Sequence, residues 1–328
     1  MGLIDSALDA FRLKETIIYK ENSDLQLKFD ALNKLNSEYP NNEELQSELY
    51  IVRKGLEGEN EIAYQLKKSN IGMYVLRDIK LKHEDLKAQI DYVIITPVFT
   101  YYVECKNLVG NITVTDKGDF IREFTINGKK IKKGMYSPLR QVEAQREVVR
   151  KIWESNSSTI KKLFASKNFD YYRKVLVVTA NQDTILNTNK APKDMKYKVL
   201  RADSLVRQIE YDLSHRDNND YVESKKGMEE IAKAYLNMSL KEEIDYYSFY
   251  KEKYCSSSND DIIRDKLIEF RKRRSSEMNI PAYYVFTNDE LEQLIKLKPK
   301  TIEDLKNSKI ISEIKIKTHG KQIIELLK

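Results

Sequence analysis

The stretch that decides the fold reads Gln89-Ile90-Asp91-Tyr92-Val93-Ile94-Ile95-Thr96-Pro97-Val98-Phe99-Thr100-Tyr101-Tyr102-Val103-Glu104-Cys105-Lys106. Both halves are dense in β-branched and aromatic residues, the composition of strands, and Thr96-Pro97-Val98-Phe99 fits a type I turn with proline at its second position. Pairing Thr96 with Phe99 sets Ile95 opposite Thr100 and Asp91 opposite Glu104, with Cβ atoms on the order of 5 Å apart on one face. The two-residue period of a strand adds Lys106 to the face of Glu104. Glu-x-Lys triplets also occur at Glu223-Ser224-Lys225 and Glu313-Ile314-Lys315, but neither ends such a run.

Like charges directly opposite destabilise a sheet unless something positive lies between them. A divalent cation with oxygen ligands, Mg²⁺ or Mn²⁺, is one solution; Lys106 acting as an ordinary salt-bridge partner is the other. Upstream, Leu56, Ile62, Ala63 and Leu66 define one helix face, and Glu59 falls inside that arc. A carboxylate there either reaches a cation, the metal site or Lys106, or snorkels at the core edge. Downstream, Ser137-Pro138 is a helix-start signal. The apolar arc that follows (Leu139, Val142, Val149, Ile152, Trp153) has Gln141 and Gln145 on or beside it. An amide facing the sheet there orients a water or a phosphate oxygen, or bonds to backbone.

Around this centre the periodicity gives a helix from Lys54, strands near 73–81, 89–96 and 99–106, a polar β-type stretch near 111–127, a helix at 138–154 and a strand at 174–179. The outline is an α/β unit of order αβββαβ. Residues 1–53 read as polar helices broken at Tyr39-Pro40-Asn41-Asn42, residues 213–258 as a Tyr-rich helical linker ending in Cys255-Ser-Ser-Ser-Asn-Asp260, and residues 259–328 as a small all-α bundle. The expected organisation is therefore 1–53, 54–212, 213–258 and 259–328, in keeping with 328 residues being more than one usual domain.

Two cysteines are too few for a disulfide framework or a thiolate zinc site, and His83, His215 and His319 share no ligand-like spacing. Any chemistry then rests on carboxylates, lysine and a hard metal. No apolar run has membrane-spanning length and the start MGLIDSALDAFRLKE lacks a secretory pattern, so the expected location is cytoplasmic with no membrane partner. The net charge of +6 favours polyanions without requiring them.

Gly55-x-x-Gly58-Glu59, Gln89-Ile90-Asp91, Glu104-Cys105-Lys106 and Ser137-Pro138-Leu139-Arg140-Gln141 together resemble the nuclease-related domain, NERD, over about residues 54–212. Ser137 stands where that family often has Asn. The resemblance implies the restriction-endonuclease-like PD-(D/E)XK fold, with Glu59, Asp91, Glu104, Lys106 and Gln141 at the family's active-site positions. It also implies a nuclease acting on DNA or RNA, with Mg²⁺ or Mn²⁺ held by Asp91, Glu104 and the Cys105 carbonyl. Leu267-Ile-Glu-Phe-Arg271, Ile280-Pro-Ala-Tyr283, Asp289-Glu-Leu291 and His319-Gly320 resemble the helicase and RNase D C-terminal domain, HRDC, although the glycine usual near residues 310–312 is missing. That resemblance implies a non-catalytic module with phosphate-contacting candidates at Arg271, Lys272, Arg273, Arg274, Lys315, Lys317 and Lys321. A solvated helical face explains the same cations. Two other readings stay open: a non-catalytic nucleic-acid binder, and an adaptor for a DNA repair helicase.

Overall fold

A computed structural model describes residues 13–155, 169–241, 243–255 and 259–327. The serines of the expected linker, at 256–258, and the start of the expected N-terminal helices lie outside the described residues. The chain divides into two compact units, one ending at Tyr247 and the other beginning at Ser248.

The first unit is built on a six-stranded sheet. In chain order its early elements are β1 (Thr16–Lys20), α1 (Asp24–Glu38), α2 (Glu43–Lys67), β2 (Met73–His83), β3 (Leu86–Ile95) and β4 (Thr100–Lys106). There follow β5 (Asn111–Val114), β6 (Phe120–Ile126), β7 (Lys129–Met135), α3 (Pro138–Ser155), a single turn α4 (Phe169–Tyr172) and β8 (Arg173–Thr179). The unit closes with β9 (Leu186–Asn187), α5 (Lys193–Lys196), β10 (Val199–Arg201), α6 (Leu205–Ser214) and α7 (Lys225–Met238). The main sheet has the order β1-β2-β3-β4-β8-β10, and a second sheet the order β7-β6-β5-β9. β2, β3 and β4 are an antiparallel meander, while β1, β8 and β10 join in parallel. This is the mixed α/β architecture that the αβββαβ outline anticipates.

Helices cover both faces of the main sheet. On one, α2 and α6 bury Ile62, Ala63, Leu66, Leu205 and Ile209 against Tyr92, Ile94, Tyr101 and Val103. On the other, α3 and α7 pack with Tyr74, Leu76, Val93, Ile95 and Tyr102.

Three expectations need correction. Residues 16–20 are a strand, because Thr16-Ile17-Ile18 is β-branched throughout and meets the open edge of β2 at Met73–Leu76. The helix α2 also runs without a break through Lys54, so the polar N-terminal region and the nuclease-like unit share one helix. Within the stretch read as a linker, α7 places Met228, Ile231, Ala232 and Tyr235 in the core at helical spacing. The Tyr235 and Tyr102 hydroxyls meet at 2.6 Å.

The second unit contains α8 (Tyr246–Tyr250, begun in the first unit), a π-helical turn at Lys251–Cys255, and then α9 (Asn259–Met278), α10 (Ala282–Val285), α11 (Asn288–Leu297), α12 (Ile302–Ser308) and α13 (Glu313–Leu326). Leu267, Phe270, Phe286, Leu294, Leu305 and Ile323 form its centre. Thr287 with Glu290 and Thr301 with Asp304 make capping boxes that start α11 and α12. The turn before α13 forms without glycine: Lys309 itself takes the left-handed conformation, at φ 53°.

Packing of α2 on the end of β4 is close. A Cβ at Gly58 would lie 2.5 Å from Asn107 Cβ and 3.2 Å from Cys105 Sγ, and the Asn107 amide donates to the Lys54 carbonyl at 2.5 Å. Gly58→Ala should therefore lower stability by about 1–3 kcal/mol through overpacking, read as a lower urea midpoint at unchanged slope.

Candidate active site

β3 and β4 pair through Ile95–Thr100, Ile94–Tyr101, Val93–Tyr102 and Tyr92–Val103, the register expected from the turn. The turn is closed by the Thr96 amide on the Phe99 carbonyl at 2.9 Å and by the Thr96 hydroxyl, which donates to that carbonyl and accepts from the Phe99 amide. The next pair in this register would be Asp91 and Glu104. There the Asp91 carboxylate, through Oδ2, accepts the Cys105 amide at 2.7 Å.

Glu104 is 3% exposed. Its Oε1 takes a 2.6 Å contact from Lys106 Nζ, and its Oε2 accepts from Gln145 Nε2 at 3.2 Å. Lys106 Nζ also donates to Gln141 Oε1 at 3.2 Å. Both glutamines of α3 thus face the sheet: Gln141 holds the lysine, and Gln145 holds the glutamate while donating to the Gln89 carbonyl at 2.7 Å. The ordinary salt bridge between Lys106 and Glu104 is present, and Asp91 is outside it.

Burial, followed by the charge of Glu104, pushes the Asp91 carboxyl well above the usual carboxylate range; the Cys105 amide and Lys106 oppose the shift. Burial, then the charges of Asp91, Glu59 and Glu104, push the Cys105 thiol up and disfavour its thiolate. Among the described residues no group of three or more His, Cys, Asp or Glu side chains is arranged to hold a metal ion. Asp91 and Glu104 bring two hard carboxylate donors to this point, and the charge of Glu104, which after burial is the largest cause raising Asp91, is what a divalent cation would offset. Two hard oxygen donors of this kind suit a divalent cation such as Mg²⁺ or Mn²⁺.

Glu59 does not reach Lys106. Its carboxylate pairs with Arg77 of β2 at 2.9 Å, both residues being 5% exposed. The Tyr92 hydroxyl donates to the Glu59 backbone carbonyl at 2.5 Å. Burial outweighs the arginine and leaves the Glu59 carboxyl above its ordinary value. Its charge still acts on Asp91 from this position.

Two residues at the site escape a reading of the sequence. Arg77 is one; Asp78, buried in the middle of β2 at φ 51°, is the other. At Asp78 and Asp91 both strands exchange faces: Tyr74 and Leu76 share a layer with Ile79 and Leu81, and Val93 and Ile95 with Ala88 and Ile90. A strict two-residue alternation forbids this, and the left-handed residue supplies the extra rotation. The Asp78 carboxylate accepts the Asp24 amide at the start of α1 at 2.8 Å and the Gln89 side-chain amide at 2.7 Å. The one signal in the sequence is a charged pair, Arg77-Asp78, interrupting an otherwise apolar run from Met73 to Ile79.

The expected phosphate contacts of the second unit fall into two groups. Arg271 donates to the Phe286 carbonyl and Asn288, Arg274 pairs with Glu277, and Lys315 pairs with Glu290 at 2.8 Å, so these three serve the bundle itself. Lys272, Arg273, Lys317 and Lys321 are exposed, Arg273 at a longer 3.9 Å from Glu277 and the last two beside a groove of about 810 Å³ with Lys306.

Carboxylates and a lysine at the end of adjacent strands, backed by a glutamine-bearing helix, thus lie in an α/β unit that is followed by a helical module. Residues 54–179 match the family model described as the nuclease-related domain, NERD, and residues 263–327 match the HRDC domain. The chain therefore combines a NERD domain with a C-terminal HRDC domain. Among solved structures, "D. radiodurans RecQ HRDC domain 3" is similar to this chain at 28% identity, covering 21% of this chain and 92% of that one with a TM-score of 0.21. No curated protein matches. Among the described residues no helix is long and apolar enough to cross a membrane.

The electrostatics of Asp91 can be measured directly. In metal-free protein its carboxyl should titrate above the ordinary aspartate range by carbon NMR; Glu104→Gln should lower that pKa and Lys106→Met should raise it further. An Asp91 that titrates normally and ignores both changes would show that the two carboxylates do not share a site.

Proposed function

We propose that this chain is a metal-dependent nuclease hydrolysing phosphodiester bonds in DNA, with the HRDC domain aiding nucleic-acid binding. The observation that carries the reading is the convergence of Asp91, Glu104, Lys106 and Gln141 from two strands and a helix. A Mg²⁺ or Mn²⁺ ion held by Asp91, Glu104 and the Cys105 carbonyl would polarise the scissile phosphate and offset its charge.

The protein's own groups do the positioning. The Cys105 amide fixes Asp91, and Gln145 fixes Glu104 from the helix side. Lys106, held by Gln141, presents a cation that donates to the attacking water or to a phosphate oxygen as negative charge builds there. Glu59, neutralised by Arg77, supports the site from behind by packing α2 onto β3. The exposed Lys272, Arg273, Lys317 and Lys321 of the HRDC domain are the cations available to contact phosphates, which would raise the local concentration of substrate.

Two outcomes are expected. Wild-type protein should cut linear, circular or single-stranded DNA with Mg²⁺ or Mn²⁺, and Glu104→Ala/Lys106→Ala, purified identically, should lose roughly 100-fold or more of that activity. Equal cutting by both would remove the site assignment. The second outcome concerns pH. A raised Asp91 pKa means that the folded state holds this proton more tightly than the unfolded one, so the stability it confers is present at low pH and lost as pH rises through the folded pKa. A cation that replaces the proton restores stability above that pKa, so Mg²⁺ should raise Tm more at pH 8 than at pH 5 and should not raise it in Asp91→Asn.

A further inference from the structure

The β6–β7 hairpin is a strongly basic surface of the first unit. Phe120–Tyr136 holds five basic residues, Arg122, Lys129, Lys130, Lys132 and Lys133, against one acidic residue, Glu123. That leaves +4 of the chain's net +6 on seventeen residues. The four lysines are exposed, and of them Lys132 spends its charge on Glu123 at 2.7 Å. The pairing register sets Arg122 directly opposite Lys133. A cation facing a cation across two strands costs stability. Arg122 donates to the Val109 carbonyl at 2.7 Å and lies over the Phe124 ring, so it is held in place with no carboxylate partner among the described residues.

The hairpin is also anchored at its base and linked along the chain to the elements of the site. Asn127 and Gly128, at φ 49° and 76°, form the two-residue turn with both centres left-handed that suits a twisted hairpin. At its base Phe120 is buried in the core of the unit. Chain connectivity ties the second sheet to the site at both ends. β5 begins five residues after Lys106, and β7 ends three residues before Pro138, which opens the helix bearing Gln141 and Gln145. Tyr136, in that second connection, is 74% exposed.

We propose that this hairpin is a phosphate-backbone arm that holds DNA flanking the scissile bond, through Lys129, Lys130 and Lys133. It rests on the reading of the unit as one that acts on DNA and adds to it the surface that seats the duplex. Charge complementarity selects the occupant: a regularly spaced polyanion satisfies at once lysines at the tip and along the outer strand that have no ion pair among the described residues.

The test separates binding from cleavage. Binding of a fluorescent DNA duplex is measured in EDTA across a salt series for full-length wild type, for Lys129→Gln/Lys130→Gln/Lys133→Gln, and for Lys87→Gln/Lys225→Gln/Lys226→Gln, which removes the same charge from exposed lysines elsewhere. The hairpin variant should bind about tenfold or more weakly at 0.1 M salt, with a salt slope shallower by up to about 3, while the control stays near wild type. In Mg²⁺ its KM should rise with little change in kcat. Hairpin and control variants with the same affinity and slope would overturn the arm, as would a hairpin variant that loses binding only to phosphatidylserine vesicles. If the hairpin variant binds weakly but neither it nor wild type cuts DNA, the arm stands and the catalytic reading falls. If wild type cuts DNA and the variant binds as tightly as wild type, the catalytic reading stands and the arm falls.

Discussion

Everything at the candidate site depends on the register of one hairpin. The Thr96–Phe99 turn fixes which residue of β3 faces which residue of β4, and a slip of one position would carry every side chain of the strand to the opposite face. Glu104 and Lys106 would then point at α2 and lose the glutamines of α3, while Tyr101 and Val103 would leave the layer in which they are buried. The apolar residues therefore enforce the polar arrangement. Burying Tyr92, Ile94, Tyr101 and Val103 on one side is what holds the carboxylates and the lysine in place on the other.

The second constraint is the cost of placing acids together away from water. Three carboxylates, Glu59, Asp91 and Glu104, come from three elements, and each is answered differently: Glu59 by Arg77, Glu104 by Lys106 and Gln145, and Asp91 by a single backbone amide. Asp91 is thus the least compensated member, and burial together with the charge of Glu104 raises its carboxyl well above the ordinary carboxylate range. Asp78 extends the same network outward, linking the start of α1 to Gln89 and, through the Gln89 carbonyl, to Gln145. The helices before residue 54 are in this way mechanically continuous with the site.

What can be read from the chain follows the range of the interactions involved. The turn, the pairing of β3 with β4, the start of α3 at Ser137-Pro138 and the inward face of its glutamines all rest on neighbours in sequence, and all are present. Strand β1 reads as helix because five residues among polar ones give little local signal, and its identity comes from an edge more than fifty residues away. The partner of Glu59 is hidden for the same reason, since helix periodicity shows that a carboxylate faces inward but not which cation waits there. The reversal of faces at Asp78 and Asp91 breaks the alternation on which strand reading relies. At Lys309 the chain takes a left-handed turn with a residue that gives no warning of it.

The parallel strand β1 has a further consequence for how this molecule can be divided. The family match begins at residue 54, inside a helix that starts at Glu43 and beyond the strand that closes one side of the sheet. A fragment cut at that point would begin with half a helix and would bare the backbone groups of β2 along Met73–Leu76, four residues that are fully or nearly fully buried. An apolar strand with a free row of donors and acceptors is a template for another copy of itself. The part recognised by similarity is therefore smaller than the part that keeps β2 paired, and insolubility of the trimmed piece would reflect a missing edge strand, not a flaw in the nuclease-related core.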